Sequence, residues 1–153
     1  LGVLAHNAEE AMWLPAWSEA AGRWHAPVGA AGFRFAVAVL SLLLVVAAAA
    51  ASISGAGSVA AYAMAGYTLA MVLNVVFPHL LVSLFQRRYM PGTATGLLCN
   101  LPLGTLYLIR AISDRQVDPG VFAWAGPLVV AGIGGSIPFL FAAGRWLEKR
   151  RDR

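Results

Sequence analysis

The stretch His6-Asn7-Ala8-Glu9-Glu10 sets an imidazole three and four residues ahead of two carboxylates, inside the otherwise apolar run LGVLAHNAEEAMWLP. On a helix both spacings bring side chains onto one face, so His6 lies between Glu9 and Glu10 around the axis. No Lys or Arg stands within two turns to neutralise them. Adjacent carboxylates cannot both ionise cheaply in a low dielectric, so each must be protonated, paired or turned to a cavity. Neutral imidazole and carboxylate are ligands for zinc or iron. Without a metal, a carboxyl beside a histidine is a general acid or base.

More polar groups share that depth. His79 lies seven residues before Gln86, and Asn100 seven after Thr93. Each is therefore about 10 Å in from the end of its helix. His6, Glu10 and His79 form the candidate metal-ligand set, with Glu9, Glu10 and Asn100 as candidate catalytic groups. Pro78 has no N–H, so it leaves the carbonyl of Asn74 without a helical partner, and Pro102 does the same to Leu98. Two helices broken beside their polar residues predict a cavity, since freed backbone groups need protein or water partners. On an ideal helix Asn74 points about 140° away from His79, so its role is open between the site and a bond to a neighbouring helix. Arg87, Arg88 and Tyr89 precede a helix start, where a lipid phosphate fits. Membrane anchoring explains the arginines as well.

The elements that must position these groups are membrane helices. Of the 153 residues, 59% are hydrophobic and 12% charged, about half the charge of an ordinary soluble domain. Apolar runs exceed the ~18 residues that mark a transmembrane helix. Nothing alternates with the period of two that a β-barrel requires. The single cysteine, Cys99, excludes an intrachain disulfide and a Cys-rich metal site, and reads as a small core residue. The basic balance reflects charges at helix ends rather than nucleic-acid binding.

The sequence predicts an all-α polytopic bundle forming one domain over 1–153. Four full transmembrane helices cover about Gly32–Ala51, Ser58–Gln86, a segment from Thr93 through "LYLIRAI", and Val121–Gly144. The fifth is an N-terminal helix, Leu1–Leu14, that Pro15 ends or turns. The chain opens on Leu rather than Met, and fourteen residues are fewer than the ~20 a span needs, so this helix is expected to begin upstream and make five spans in the native chain. Residues 15–31, with Trp17, Trp24, Arg23 and His25, read as interfacial. The small residues of "AGIGGS" and the alanine run of the second helix predict close helix packing.

Arg23 and Arg34, Arg87 and Arg88, and the tail residues Arg145, Lys149, Arg150, Arg151 and Arg153 fall on one side, against Arg110 and Arg115 on the other. The positive-inside rule makes the first side cytoplasmic. The expected location is a bacterial inner membrane, multi-pass, with the C-terminus inside and the polar cluster near the cytoplasmic face.

"HNAEE", "NVVFPH" with Asn74 and His79, and "YMPGTAT" together resemble a family of bacterial membrane proteins named for an H-x-x-E-E motif. The resemblance covers most of the chain and implies a multi-helix membrane fold, with no reaction attached. A looser likeness, of shared physics alone, is to intramembrane glutamate proteases of the CAAX-processing type; their Arg after the Glu pair is missing here.

The pattern is that of a small membrane enzyme using a metal (Zn or Fe) or an acid–base pair on a lipid or other apolar substrate. The alternatives are a proton- or cation-coupled transporter and a non-catalytic subunit of a membrane complex. Expected partners are the bilayer, a lipid substrate, and a second copy or a complex partner, with no nucleic acid.

Overall fold

The computed structural model describes residues 1–151 and 153, apart from the Trp24 side chain. It is an all-helical bundle: α1 Gly2–Glu19, α2 Ala30–Ser54, α3 Val59–Gln86, α4 Thr93–Ser113 and α5 Pro119–Arg151. Helices α2 to α5 are each long and apolar enough to cross a membrane. The bundle is built on α3, which packs against α2, α4 and α5, while α1 lies against α2 and the first turns of α4.

Two of these helices are interrupted where proline withdraws a backbone donor. Over Val75–Leu80 the turns of α3 widen, and Phe77 is fully extended (φ −130, ψ 122) ahead of Pro78. Over Gly96–Asn100 the turns of α4 widen ahead of Pro102.

Helix α1 behaves differently. Pro15 does not end it; the helix runs on to Glu19. The carbonyl that Pro15 leaves free belongs to Ala11. The Arg34 Nε–H of α2 donates to that carbonyl at 3.0 Å, so the orphan is satisfied from another helix. The last helix also extends past Gly144, taking most of the basic tail into α5.

Close helix packing is real but lies elsewhere than "AGIGGS". A Cβ at Gly132, Gly134 or Gly135 would meet nothing within 4 Å among the described residues. The tight crossings use Gly32 and Gly144, where α2 meets α5, and Gly66, where α3 meets Val129 of α5. A Cβ on Gly144 would lie 2.8 Å from the Gly32 Cα, and one on Gly66 2.6 Å from the Val129 Cβ.

These crossings set an expectation for stability. Gly144→Leu should lower it by about 1–3 kcal/mol through overpacking, while Gly134→Ala should leave it unchanged or raise it by up to about 1 kcal/mol. Thermal unfolding of the purified variants measures both.

A buried His–Glu–His cluster and the turn that holds it

The turn between α3 and α4 folds back over α1. Arg87 closes α3 in a left-handed conformation (φ 49), and Gly92 opens α4 in another (φ 94). A positive φ alone favours glycine at 92, and the packing adds a second reason. A Cβ there would lie 2.6 Å from His79 Cε1 and 2.9 Å from His6 Cε1. Gly92 therefore sits directly against the Cε1 atoms of both imidazoles.

Both polar groups of Gly92 are taken by α1. Its N–H donates to Glu9 Oε1 at 2.8 Å, and its carbonyl lies 3.0 Å from His6 Nδ1. A carbonyl can only accept, so Nδ1 carries the proton. In the neutral ring Nε2 then keeps its lone pair. The Asn74 amide lies 3.2 Å from that nitrogen and must present its NH2 group to it.

Glu9 and Glu10 go separate ways. Glu9 holds the turn, accepting from Gly92 N–H, from the Thr95 hydroxyl at 2.7 Å, from the Thr95 N–H at 3.4 Å and from the Tyr89 hydroxyl. Burial, then the hydrogen bond to Glu9, push the Tyr89 phenol above its ordinary range, so it stays a donor. Glu10 instead faces the histidines: its Oε1 lies 2.8 Å from His79 Nε2 and 3.7 Å from His6 Nε2. The rings stand edge to face, with centroids 4.9 Å apart.

His6 and His79 are sealed, at 0% and 1% exposure, and Glu10 opens outward at 14%. Neither ring nitrogen of His79 has a directed hydrogen-bond partner. The 2.8 Å approach to Glu10 is close, but off the line a hydrogen bond prefers. One ligand atom from each of His6, Glu10 and His79 falls within 4.8 Å of the others, so the three could hold a metal ion.

The other candidates are placed as follows. Asn74 reaches His6 because the widened turn breaks the ideal 140° relation to His79, so both residues meet α1. Asn100 lies apart from the cluster, buried beside Gly2, and neither atom of its amide has a partner. Arg88 reaches the Ala20 carbonyl at 3.5 Å and Gln86 the Ala21 carbonyl at 3.2 Å, both just past the C-terminus of α1, where positive charge and donors are favoured. Cys99 is half-buried. The residues that sequence reasoning missed are Thr95 and Gly92; the only signal for them was the polar, glycine-containing "YMPGTAT" turn. A core of Leu14, Trp17, Phe33, Val82 and Met90 packs near the turn.

A family model described as "Protein of unknown function with HXXEE motif" matches residues 1–107. That stretch holds every residue of the cluster. The chain is 36% identical over 108 residues to "Uncharacterized protein YrkK" of Bacillus subtilis (strain 168), covering 71% of this chain and 68% of that protein. The chain therefore belongs to the HXXEE family. No solved structure matches it.

If Glu9 fastens the turn, Glu9→Gln turns an acceptor oxygen into an NH2 group facing donors. The melting temperature should fall, by the equivalent of about 1–3 kcal/mol, and trypsin should cleave faster after Arg87 and Arg88. An unchanged melting curve and cleavage rate would assign the turn's stability to other contacts.

Proposed function

We propose that this member of the HXXEE family is a membrane-embedded enzyme whose His6, Glu10 and His79 hold a divalent metal for acid–base chemistry on a lipid or other hydrophobic substrate. The observation that carries this reading is His79: a sealed imidazole without a directed partner for either nitrogen, beside a carboxylate oxygen. A buried polar group without a partner is costly. Nearby, His6 has its outer nitrogen tied to a backbone carbonyl, as metal-binding imidazoles do, which fixes the ring and its tautomer; the lone pair of its inner nitrogen, which accepts from the Asn74 amide, is the one a metal would take in that amide's place.

The donor set is two imidazoles and one carboxylate, which suits zinc or iron. Tetrahedral ligation at about 2.0–2.2 Å puts neighbouring ligand atoms about 3.3–3.6 Å apart. The 2.8 and 3.7 Å separations at Glu10 bracket that range. A divalent ion bound there would supply Lewis acidity and lower the pKa of a bound water. The protein's own contributions are separable. Asn74 and the Gly92 carbonyl orient His6. Glu9, Thr95 and Tyr89 hold the turn that packs on both rings. Glu10, the one partly exposed member, is the group able to exchange a proton with an incoming substrate.

Nine of the chain's basic residues serve in this reading as cytoplasmic anchors, with the C-terminus inside, which sets the cluster near the inner face. Its support is the asymmetry of Arg and Lys between the two sides.

Purified protein loaded with zinc or iron should retain about one metal per chain, and Glu10→Gln or His79→Ala should lower the affinity at least 100-fold. Gly92→Ala should lower it about 10- to 100-fold by driving a Cβ into the imidazoles. Turnover of a lipid extract should be lost in the same variants. No bound metal in the unmutated protein, with turnover indifferent to Glu10→Gln, overturns the proposal.

A further inference from the structure

The inner nitrogen of His6 is met by two side chains. Glu10 Oε1 lies 3.7 Å from Nε2, and the Asn74 amide lies 3.2 Å from it. Because Nδ1 holds the proton, Nε2 is an acceptor and Asn74 turns its NH2 group toward it. This suits the chain without a metal. A divalent ion on the same lone pair reverses the electrostatics. It would stand about 2 Å from Nε2, facing the positively polarised hydrogens of the NH2 group. The amide must then leave or turn round.

Turning is the smaller motion. The two ends of an asparagine amide are nearly alike in size and shape. A half-turn about Cβ–Cγ, a soft torsion, puts Oδ1 where Nδ2 stood. The backbone at Asn74 is regular helix (φ −59, ψ −33), just ahead of the widened turn, so the chain need not move. The oxygen then presents the negative end of the amide dipole to the ion. Its place fits as well. Neighbouring ligand atoms around such an ion are about 3.3–3.6 Å apart. The separations of Asn74 from His6, Glu10 from His6 and Glu10 from His79 are 3.2, 3.7 and 2.8 Å, scattered about that range. The remaining polar neighbours are committed elsewhere. Glu9 holds the turn, and the Thr95 hydroxyl meets Glu9 and the far nitrogen of His6.

We propose that Asn74 is the fourth ligand of the cluster, through Oδ1, and that its hydrogen bond to His6 is the metal-free orientation of the same amide. This rests on the reading of His6, Glu10 and His79 as a metal site, and completes it. The donor set becomes two imidazoles, one carboxylate and one amide oxygen, carried by α1 and by the two sides of the break in α3. A neutral amide oxygen is the weakest of the four donors, so it marks the position that an oxygen of water or substrate takes over. The site is then closed at rest and open on demand, which a catalytic centre requires.

Cobalt(II) is the probe, because it accepts zinc's ligands and its visible absorption reports the atoms around it. The purified chain in detergent is titrated with the ion. Asn74→Asp keeps an oxygen and adds charge, and should tighten binding about tenfold; Asn74→Leu should weaken it about tenfold or more. Both should shift the visible bands. An amide that merely orients His6 and has to step aside gives Asn74→Leu the opposite sign, about fivefold tighter binding, since one hydrogen bond no longer has to be broken. That result overturns the proposal, as does weaker binding with unshifted bands. Unshifted bands in Asn74→Asp overturn it too, so the test stands even where Asn74→Leu does not fold. Loss of cobalt in Glu10→Gln with undiminished binding in Asn74→Leu leaves the three-residue site and removes its fourth ligand. No cobalt on the unmutated chain overturns both.

Discussion

The peptide of Gly92 is the constraint on which the rest of the cluster depends. Its N–H and its carbonyl are both bound by α1, through Glu9 and His6. Its Cα passes so close to both imidazoles that no larger residue fits without displacing one. This gives the H-x-x-E-E spacing a physical meaning. The histidine and the first glutamate, three residues apart, bind the carbonyl and the N–H of one residue on a crossing turn. The second glutamate, about 100° further round the helix, is thereby turned toward His79. One motif thus splits into two duties: a pair that fastens backbone and a carboxylate left facing an imidazole.

The widened turn of α3 is the second half of the arrangement. A regular helix would carry Asn74 and His79 on faces about 140° apart, and only one of them could meet α1. Because Pro78 withdraws a backbone donor, the chain opens over Val75–Leu80. Asn74 then reaches His6 while His79 meets the same ring edge to face. The break brings two polar side chains of one helix to a single point on another. Broken backbone inside a membrane is tolerated where protein encloses it, and here α1 and the turn supply the enclosure.

How much of this was legible in the sequence differs by level. The four long apolar helices follow from hydropathy alone, because a spanning helix must satisfy its backbone internally and shows an unbroken apolar run. The polar set His6, Glu10 and His79 was legible because ionisable groups are scarce at membrane depth and each needs a reason. Three things were not. Pro15 reads locally as a helix stop, and only the distant Arg34 guanidinium meeting the Ala11 carbonyl carries the helix through. The glycines of "AGIGGS" resemble a packing motif, but whether a small residue touches a neighbour depends on the rotation of α5, which spacing does not fix. Gly92 and Thr95 belong to a turn whose path is set by what it crosses, and no local pattern announces that Glu9 would accept from both.

The separation of the two glutamates also bears on how a charge can persist here. Glu9 collects four donors, which is how a carboxylate remains ionised away from bulk water. Glu10 has no comparable set. It has two imidazole nitrogens, at 2.8 and 3.7 Å, and a partial opening outward. A carboxylate in that position calls for a positive partner, and three ligand atoms within 4.8 Å of one another are placed to hold a cation. His6 is poorly suited to bring that charge, since its Nδ1 proton is committed to Gly92 and its Nε2 faces the Asn74 amide donor. His79, whose nitrogens have no other directed partner, is the group that Glu10 approaches most closely. The chemistry of the cluster turns on what Glu10 shares with His79 at 2.8 Å and with His6 at 3.7 Å.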